Sequence, residues 1–419
     1  MRTAFVRFGL AAVAALVLAA CSDQRELLAP SRPDQALVPP KPCITITCPQ
    51  NNPTYVEVSA GDGVTCAIHF LDPRILYYYT VSNLNCWGDN TYGMLGTGQG
   101  TTSEVCNNNF ALYPRNEPCS TSPLMTAGGV MFSAVSVGRT HVCGIQSGTG
   151  AVTCWGDNRA GQIGNGASGT SVVFTPGQFV PGLAFSQIQA GDAQTCGVTT
   201  SQALFCWGQG FGPSPVQVDP ANTYRFVATR YVGLDPCGFQ TSGMTCGGWH
   251  TVDVLATSGT ADHMCQIFGG GRTECWGEDK WGQLGNGTAS NVYVKPSAPT
   301  EIFGFTFQSI SAGDWNTCAL SGTTAFCWGN GRWGQNGTGT QNSAAAPAQV
   351  IPPWGTTIAF SKISVGAQHV CGLAGGGAIW CWGRNESGQL GIGTTNTVIT
   401  YVNGSPIIAS ATPVRVVGS

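Results

Sequence analysis

One pattern recurs along most of this chain. A cysteine, a short turn, a second cysteine followed directly by Trp-Gly, and a glycine-punctuated segment ending in Gly-Gln-Leu-Gly or a relative follow one another in fixed order. The clearest copy is residues 265–288, where Cys265-Gln-Ile-Phe and Thr-Glu-Cys275-Trp276-Gly277 flank three glycines and Gly282-Gln283-Leu284-Gly285 follows. Residues 143–166, 318–339 and 371–394 repeat it, and 66–98 and 196–212 do so more loosely. Two short apolar runs around a glycine turn predict a β-hairpin. The two cysteines of a hairpin then face each other on antiparallel strands, at a spacing that suits a disulfide.

A second strand signal precedes each hairpin. Phe132-Ser-Ala-Val135-Ser-Val137-Gly138, Phe185 to Gly191, Phe307 to Gly313 and Phe360 to Gly366 alternate apolar and polar residues at period two, with Tyr55 to Gly61 as a variant. Five residues after this glycine comes the first cysteine. A further Pro-x-x-Val strand, as in Pro215 to Val218 and Pro347 to Val350, is expected to start the next unit. That makes four short strands in the 53 residues from Cys143 to Cys196, and four strands per repeat predict a propeller blade. Gly 59 and only 9% charged residues agree with strands and tight turns rather than amphipathic helices.

These offsets together resemble the repeat of the regulator of chromosome condensation family, over residues 55–417. The resemblance implies an all-β, seven-bladed β-propeller, and seven hairpin cysteine pairs match that number: Cys66–Cys86, Cys143–Cys154, Cys196–Cys206, Cys237–Cys246, Cys265–Cys275, Cys318–Cys327 and Cys371–Cys381. Residues 208–265 fit least well, and six blades with an irregular one remain the alternative there. Pro413-Val-Arg-Val-Val417 reads as a repeat-initial strand with no repeat after it, so the C-terminal strand is expected to complete the first blade and close the ring.

The remaining pairs are Cys106–Cys119, a staple for an insertion near residues 99–126, and Cys43–Cys48 in the N-terminal segment. Nineteen cysteines in paired spacing point to an oxidising compartment. Residues 1–20 carry Arg2 and Arg7 ahead of an apolar run too short to remain in a bilayer, as in a secretory signal. The run ends Leu18-Ala-Ala-Cys21 and resembles the lipobox of bacterial lipoproteins, which implies lipidation of Cys21 and favours the outer membrane. Residues 21–54 are proline-rich and read as a tether, leaving 55–419 as a single propeller domain.

No chemistry announces itself. A net charge of −3 without a Lys/Arg cluster excludes a nucleic-acid footprint. No nucleophile elbow, phosphate loop or paired zinc motif is present, so neither cofactor nor metal is predicted. His141, His263 and His369 stand two residues before a hairpin cysteine where other units have Gln194, Asn316 and Val64, which argues for a hydrogen-bonding slot inside each blade over a metal ring. Asp62, Arg139, Asp192 and Asp314 follow the repeat glycine and should ring the channel mouth; with Tyr77, Tyr78 and Tyr79 of a first-blade insertion they form the candidate binding face. Six tryptophans, Trp87, Trp155, Trp207, Trp276, Trp328 and Trp382, repeat with the fold and are expected in the core. The expected protein is a monomeric, membrane-anchored, non-catalytic module for an envelope protein or glycan. Guanine-nucleotide exchange, implied by the family's eukaryotic founder, and an enzyme site at the channel mouth are the alternatives.

Overall fold

A computed structural model describes residues 54–70, 82–98, 104–107, 116–169, 172–178, 182–201, 203–217, 252–256, 263–268, 271–294, 299–395, 399–402 and 405–419. They form a β-propeller of six antiparallel sheets. Sheet 1 runs Tyr55–Ala60, Val64–His69, Leu84–Asp89, Asn116–Met125 and an edge strand Glu104–Asn107. Sheet 2 is Phe132–Val137, His141–Gln146, Val152–Asp157 and Val172–Gln178; sheet 3 is Phe185–Ala190, Gln194–Thr199, Leu204–Gly208 and Gly212–Gln217. Sheet 4 holds Val252–Ala256, His263–Phe268, Thr273–Asp279, Ser290–Val294 and Thr300–Ile302. Ser309–Ala312, Asn316–Ser321, Thr324–Gly329 and Ala344–Gln349 make sheet 5. Phe360–Val365, His369–Ala374, Ile379–Arg384, Ser405–Arg415 and the edge strand Ile399–Val402 make sheet 6. The strands of each sheet are called inner, second, third and outer below.

The hairpin staples lie where the spacing put them. Cys66↔Cys86, Cys143↔Cys154, Cys196↔Cys206, Cys265↔Cys275, Cys318↔Cys327 and Cys371↔Cys381 are direct cross-strand partners joined as disulfides, each with Cα atoms 4.1 Å apart. Cys106–Cys119 is also closed. Cys43–Cys48 and Cys237–Cys246 lie outside the described residues, and so does the unit expected as a further blade: the described residues give six sheets, not seven.

Two expectations about strand assignment are corrected. The Pro-x-x-Val strand ends its own sheet as the outer strand, since Val216 pairs with Cys206 and Ala348 with Cys327. For the same reason the C-terminal strand does not complete the first sheet. Val414 pairs with Cys381 and Arg415 with Trp380 in sheet 6, while sheet 1 takes its outer strand from the first-sheet insertion, with Leu124 opposite Cys86. The insertion is therefore one arm of the sheet plus an extra edge strand. Sheet 6 meets sheet 1 without strand exchange, through the contacts between neighbouring sheets described next.

Between sheets the packing is apolar and the bonding is done by side chains. The core clusters of buried residues each combine two successive sheets, as in Cys66, Cys86 and Leu95 with Phe132 and Trp155, except that Cys196, Val198, Leu204 and Cys206 of sheet 3 form one alone. All six recurrent tryptophans are buried. Four of the indoles donate Nε1–H to the Gln carbonyl of the preceding Gly-Gln-x-Gly segment at 2.9 Å: Trp87 to Gln389, Trp207 to Gln162, Trp328 to Gln283 and Trp382 to Gln335. Trp155 donates to Met94, the equivalent residue, at 2.7 Å. Trp276 Nε1 has no partner among the described residues. The second glycine of that segment lies against the same indole, as Gly164 does against Trp207 and Gly391 against Trp87, where a Cβ would stand under 3.0 Å from Nε1. A larger residue would push the two sheets apart.

Inner strands are bridged by serine. Ser59 Oγ accepts from Val137 N, Ser136 from Ala190 N, Ser311 from Val365 N and Ser364 from Ala60 N, at 2.9 to 3.0 Å. The serines were legible only as the polar half of an alternation, yet Ser136 is buried because its hydroxyl satisfies an amide of the next sheet.

Candidate interaction face at the mouth end

In sheets 1, 2, 3, 5 and 6 the turn between inner and second strands opens on the repeat glycine, Gly61, Gly138, Gly191, Gly313 or Gly366. At this end, Ala367 N donates to Gly61 O at 3.2 Å and Arg139 N to Gly191 O at 3.1 Å, tying each turn to the glycine of the next sheet. A Cβ on Gly61, Gly138, Gly313 or Gly366 would fall well inside contact distance of the carbonyl oxygen of the next glycine in the ring. The glycines are therefore demanded by close approach of backbone to backbone.

The residues after these glycines are brought together as the sequence reading expected, and they pair with each other. Arg139 of sheet 2 sits between Asp62 of sheet 1 and Asp192 of sheet 3, with Nε and Nη1 each 3.4 Å from a carboxylate oxygen. Burial works against the charge on Arg139, but the carboxylates of Asp192, Asp62 and Asp314 outweigh it and raise its pKa. Burial likewise pushes Asp62 up, against the pull of Arg139 and Arg384. Arg139 is thus the centre of an acidic cluster that includes Asp314. Tyr77, Tyr78 and Tyr79 lie outside the described residues.

The loops from third to outer strand start at the mouth end, because Asp157 N donates to Thr140 O, Asn330 N to Trp315 O and Arg384 N to Gln368 O. They carry side chains outside the candidate face expected from the sequence. Arg159, forked onto Asp157 with Nη2 to Oδ2 at 2.8 Å, lies over Tyr92 of the preceding sheet at 5.2 Å. Arg384 reaches Gln368 Oε1 at 2.7 Å, pairs with Glu386, and lies over Trp333 of the preceding sheet at 4.9 Å. Arg332 and Lys280 stand over Trp333 and Trp281. Tyr92, Trp281 and Trp333 hold the same place in their repeats, just before the Gly-x-x-Gly segment, and that recurrence is the signal by which they could have been found.

The three histidines do not converge on a site. Each is buried in the junction to the next sheet, where its Nε2 meets a threonine hydroxyl: His141 with Thr195 at 2.7 Å, His263 with Thr317 at 2.5 Å and His369 with Thr65 at 2.7 Å. Each threonine has one proton, and it goes to the carbonyl of Gln162, Gln283 or Gln389 at 2.8 to 3.1 Å. The histidine must then donate Nε2–H and remain neutral, with Nδ1 left without a partner among the described residues. Burial pushes its pKa down, to about 4 for His141 and about 3 for His263 and His369. The polar slot exists, but it joins two sheets where the sequence reading placed it inside one.

Residues 271–320, 324–373 and 376–418 each match the Regulator of chromosome condensation (RCC1) repeat, and 360–389 match a second description of it. The chain thus carries regulator of chromosome condensation repeats within residues 271–418. The chain is 27% identical over 351 residues to the Ultraviolet-B receptor UVR8 of Arabidopsis thaliana, covering 82% of this chain and 71% of that one. It is 26% identical over 267 residues to the E3 ubiquitin-protein ligase HERC2 of Homo sapiens, covering 63% of this chain but only 5% of the ligase. Among solved structures it is similar to human WBSCR16, with 19% identity, a TM-score of 0.48 and coverage of 86% and 82% of the two chains. It is also similar to Prp20p of Saccharomyces cerevisiae, described with its binding to Gsp1p and histones, with 17% identity, a TM-score of 0.46 and coverage of 86% and 76%.

Proposed function

We propose that this chain is a lipid-anchored, extracytoplasmic interaction module that binds an envelope protein through its mouth end, in the sector of sheets 5, 6 and 1, without catalysis. The reading takes residues 1–20 as a signal, Cys21 as the lipidated N-terminus and residues 22–54 as the tether of a propeller domain at 55–419. The observation that carries it is the row of aromatic residues under guanidinium groups, Tyr92–Arg159 and Trp333–Arg384, held on rigid loops around the Arg139 cluster. Tryptophan, tyrosine and arginine dominate the energetics of protein interfaces. Sheets 6 and 1, which are neighbours, also extend their outer strands into extra hairpins, Ile399–Val402 with Ser405–Arg415 and Glu104–Asn107 with Asn116–Met125.

The seven disulfides among the described residues support an oxidising compartment, where a cytosolic GTPase partner would be absent. That disfavours exchange activity of the kind the family's founder implies, and the absence of a basic cluster disfavours a histone-like or nucleic-acid role for this chain. An enzyme is disfavoured because Asp62 and Asp192 each face Arg139, which stands between them, so they do not face each other as a general acid and base pair.

The test is proximity cross-linking and pull-down from intact cells with the native lipoprotein, Trp333→Ala and a form lacking residues 104–115. One envelope partner recovered with the native protein and reduced at least tenfold with either change supports the proposal. Recovery unaffected by both places the binding elsewhere and overturns it, and selective retention on isolated envelope glycan would replace protein by glycan.

A further inference from the structure

The end of the sheets opposite the mouth has a different surface. It carries the turns from second to third strand and the crossings from outer strand to next inner strand, which lie side by side through bonds such as Phe360 N to Thr323 O and Phe185 N to Gly150 O. Among the described residues of these turns and crossings there is one charged side chain, Arg272, paired with Glu274 at 2.7 Å. The rest is Gly, Ser, Thr, Pro and apolar residues with Asn83 and Gln308. Phe70 is 63% exposed, Phe303 78% and Trp354 103%. Met125, Ile351 and Val417 add to the exposed apolar side chains of this end. They belong to consecutive positions around the ring, from the crossing between sheets 4 and 5 to that between sheets 1 and 2.

Trp354 follows Pro352-Pro353, and Thr356 donates both its N–H and its hydroxyl to the Pro353 carbonyl, at 3.0 and 2.5 Å. A fixed turn thus holds an indole clear of the protein. The N-terminal segment joins the body at this same end: Thr54 precedes the first inner strand, and its carbonyl accepts from Phe70 N at 2.8 Å.

We propose that this end rests on the membrane, with Trp354, Phe303 and Phe70 entering the headgroup region of a bilayer around the point where the anchored segment joins. The proposal rests on the reading of Cys21 as lipidated. A tether raises the effective concentration of bilayer near the body, so a few shallow aromatic insertions suffice where an untethered protein would need a large surface. Aromatic side chains favour the interface for its mixture of apolar and polar surroundings. Because the described turns and crossings of this end carry a single cationic side chain, Arg272, itself paired with Glu274, the contact is indifferent to lipid charge and to salt, unlike a polybasic docking surface. It also leaves the mouth end facing away from the membrane, free for a partner.

The experiment uses the full lipidated protein in phosphatidylcholine vesicles containing acyl chains brominated near the carbonyl, read by tryptophan fluorescence. Bromolipid quenching in the native protein that disappears in Trp354→Phe, and that is unchanged by high salt or by added phosphatidylglycerol, is the expected result. Trp354 is exposed, so this substitution leaves folding intact, and Phe303→Ser should lower the quenching as an independent check. Native protein that floats with vesicles without Trp354-dependent quenching overturns the docking while leaving the anchor standing. Concentration-dependent self-association in detergent, lost in Trp354→Phe and accompanied by no quenching, overturns it in favour of a second copy. Native protein that fails to float, or Cys21→Ala protein that floats as well as native, removes the anchor and the docking with it.

Discussion

Two kinds of junction hold neighbouring sheets together. In the junctions from sheet 1 to 2 and from 5 to 6, a single indole donor meets the buried carbonyl, Trp155 at Met94 and Trp382 at Gln335. In those from 2 to 3, 4 to 5 and 6 to 1, the same carbonyl takes a second donor from threonine, and the threonine in turn takes one from histidine. Sheets that offer histidine have Val142, Met264 or Val370 at the threonine position, and sheets that offer threonine have Val64, Gln194 or Asn316 at the histidine position. The apolar contact is common to both kinds. The richer junction adds a chain of donors that is satisfied at the carbonyl and left open at Nδ1, so it gains a bond and acquires a dependence on pH.

The largest effect is expected where backbone meets backbone in the histidine junction between sheets 2 and 3. Gly138→Val places a side chain against the Gly191 carbonyl, a backbone atom that cannot step aside, and should cost about 3 kcal/mol, read as a lowered denaturation midpoint. The next change separates the two kinds of junction. Trp155→Phe leaves the Met94 carbonyl without its donor, whereas Trp207→Phe leaves the Gln162 carbonyl with Thr195. Both lose packing, and the difference between them should be about 1 kcal/mol in favour of Trp207→Phe by chemical denaturation. Equal losses would mean that the threonine bond is too weak to matter.

Acid should find the histidine junctions selectively. In the unfolded chain an imidazole takes its proton near pH 6.5, while in the folded protein His141 resists to about 4 and His263 and His369 to about 3. The unfolded state therefore binds more protons between these values, and stability is full above pH 6.5 and falls as pH drops toward 4. The slope is roughly 1.4 kcal/mol per pH unit for each histidine. Replacing all three by Gln, the residue at position 194, should flatten that part of the stability profile, measured as melting temperature against pH.

The smallest effect belongs to the surface. Arg139→Ala removes two part-exposed ion pairs at 3.4 Å and should shift stability by less than about 1 kcal/mol, while leaving both kinds of junction intact. A larger loss would show that the mouth cluster supports the ring rather than standing on it.

The repeat made the sheets legible because what fixes a sheet is local. Cys143 and Cys154 are 11 residues apart and meet through one turn, so alternation and turn chemistry suffice to pair them. The same holds for the buried tryptophans beside the second cysteine. The mouth cluster was half legible: the position after the glycine predicted that Asp62, Arg139 and Asp192 would assemble, but not that the arginine would stand between the two acids. The recurrence of Tyr92, Trp281 and Trp333 just before the Gly-x-x-Gly segment is written in the sequence, but only the neighbouring sheet gives Tyr92 and Trp333 a cation to face.

What the sequence determined by itself, then, is the unit: its strands, its disulfides, its glycine turns and the tryptophan it buries. Tertiary structure alone decided how units meet. His369 finds Thr65, and Ser364 finds Ala60, across separations of 304 residues, and the outer strand of sheet 6 is the last strand of its own sheet instead of the missing strand of the first. Contacts of that kind depend on the order of sheets around the ring and on the angle between them. Neither is written in the hydrogen-bond register of a single hairpin, because side chains that bridge two sheets are set by packing between them.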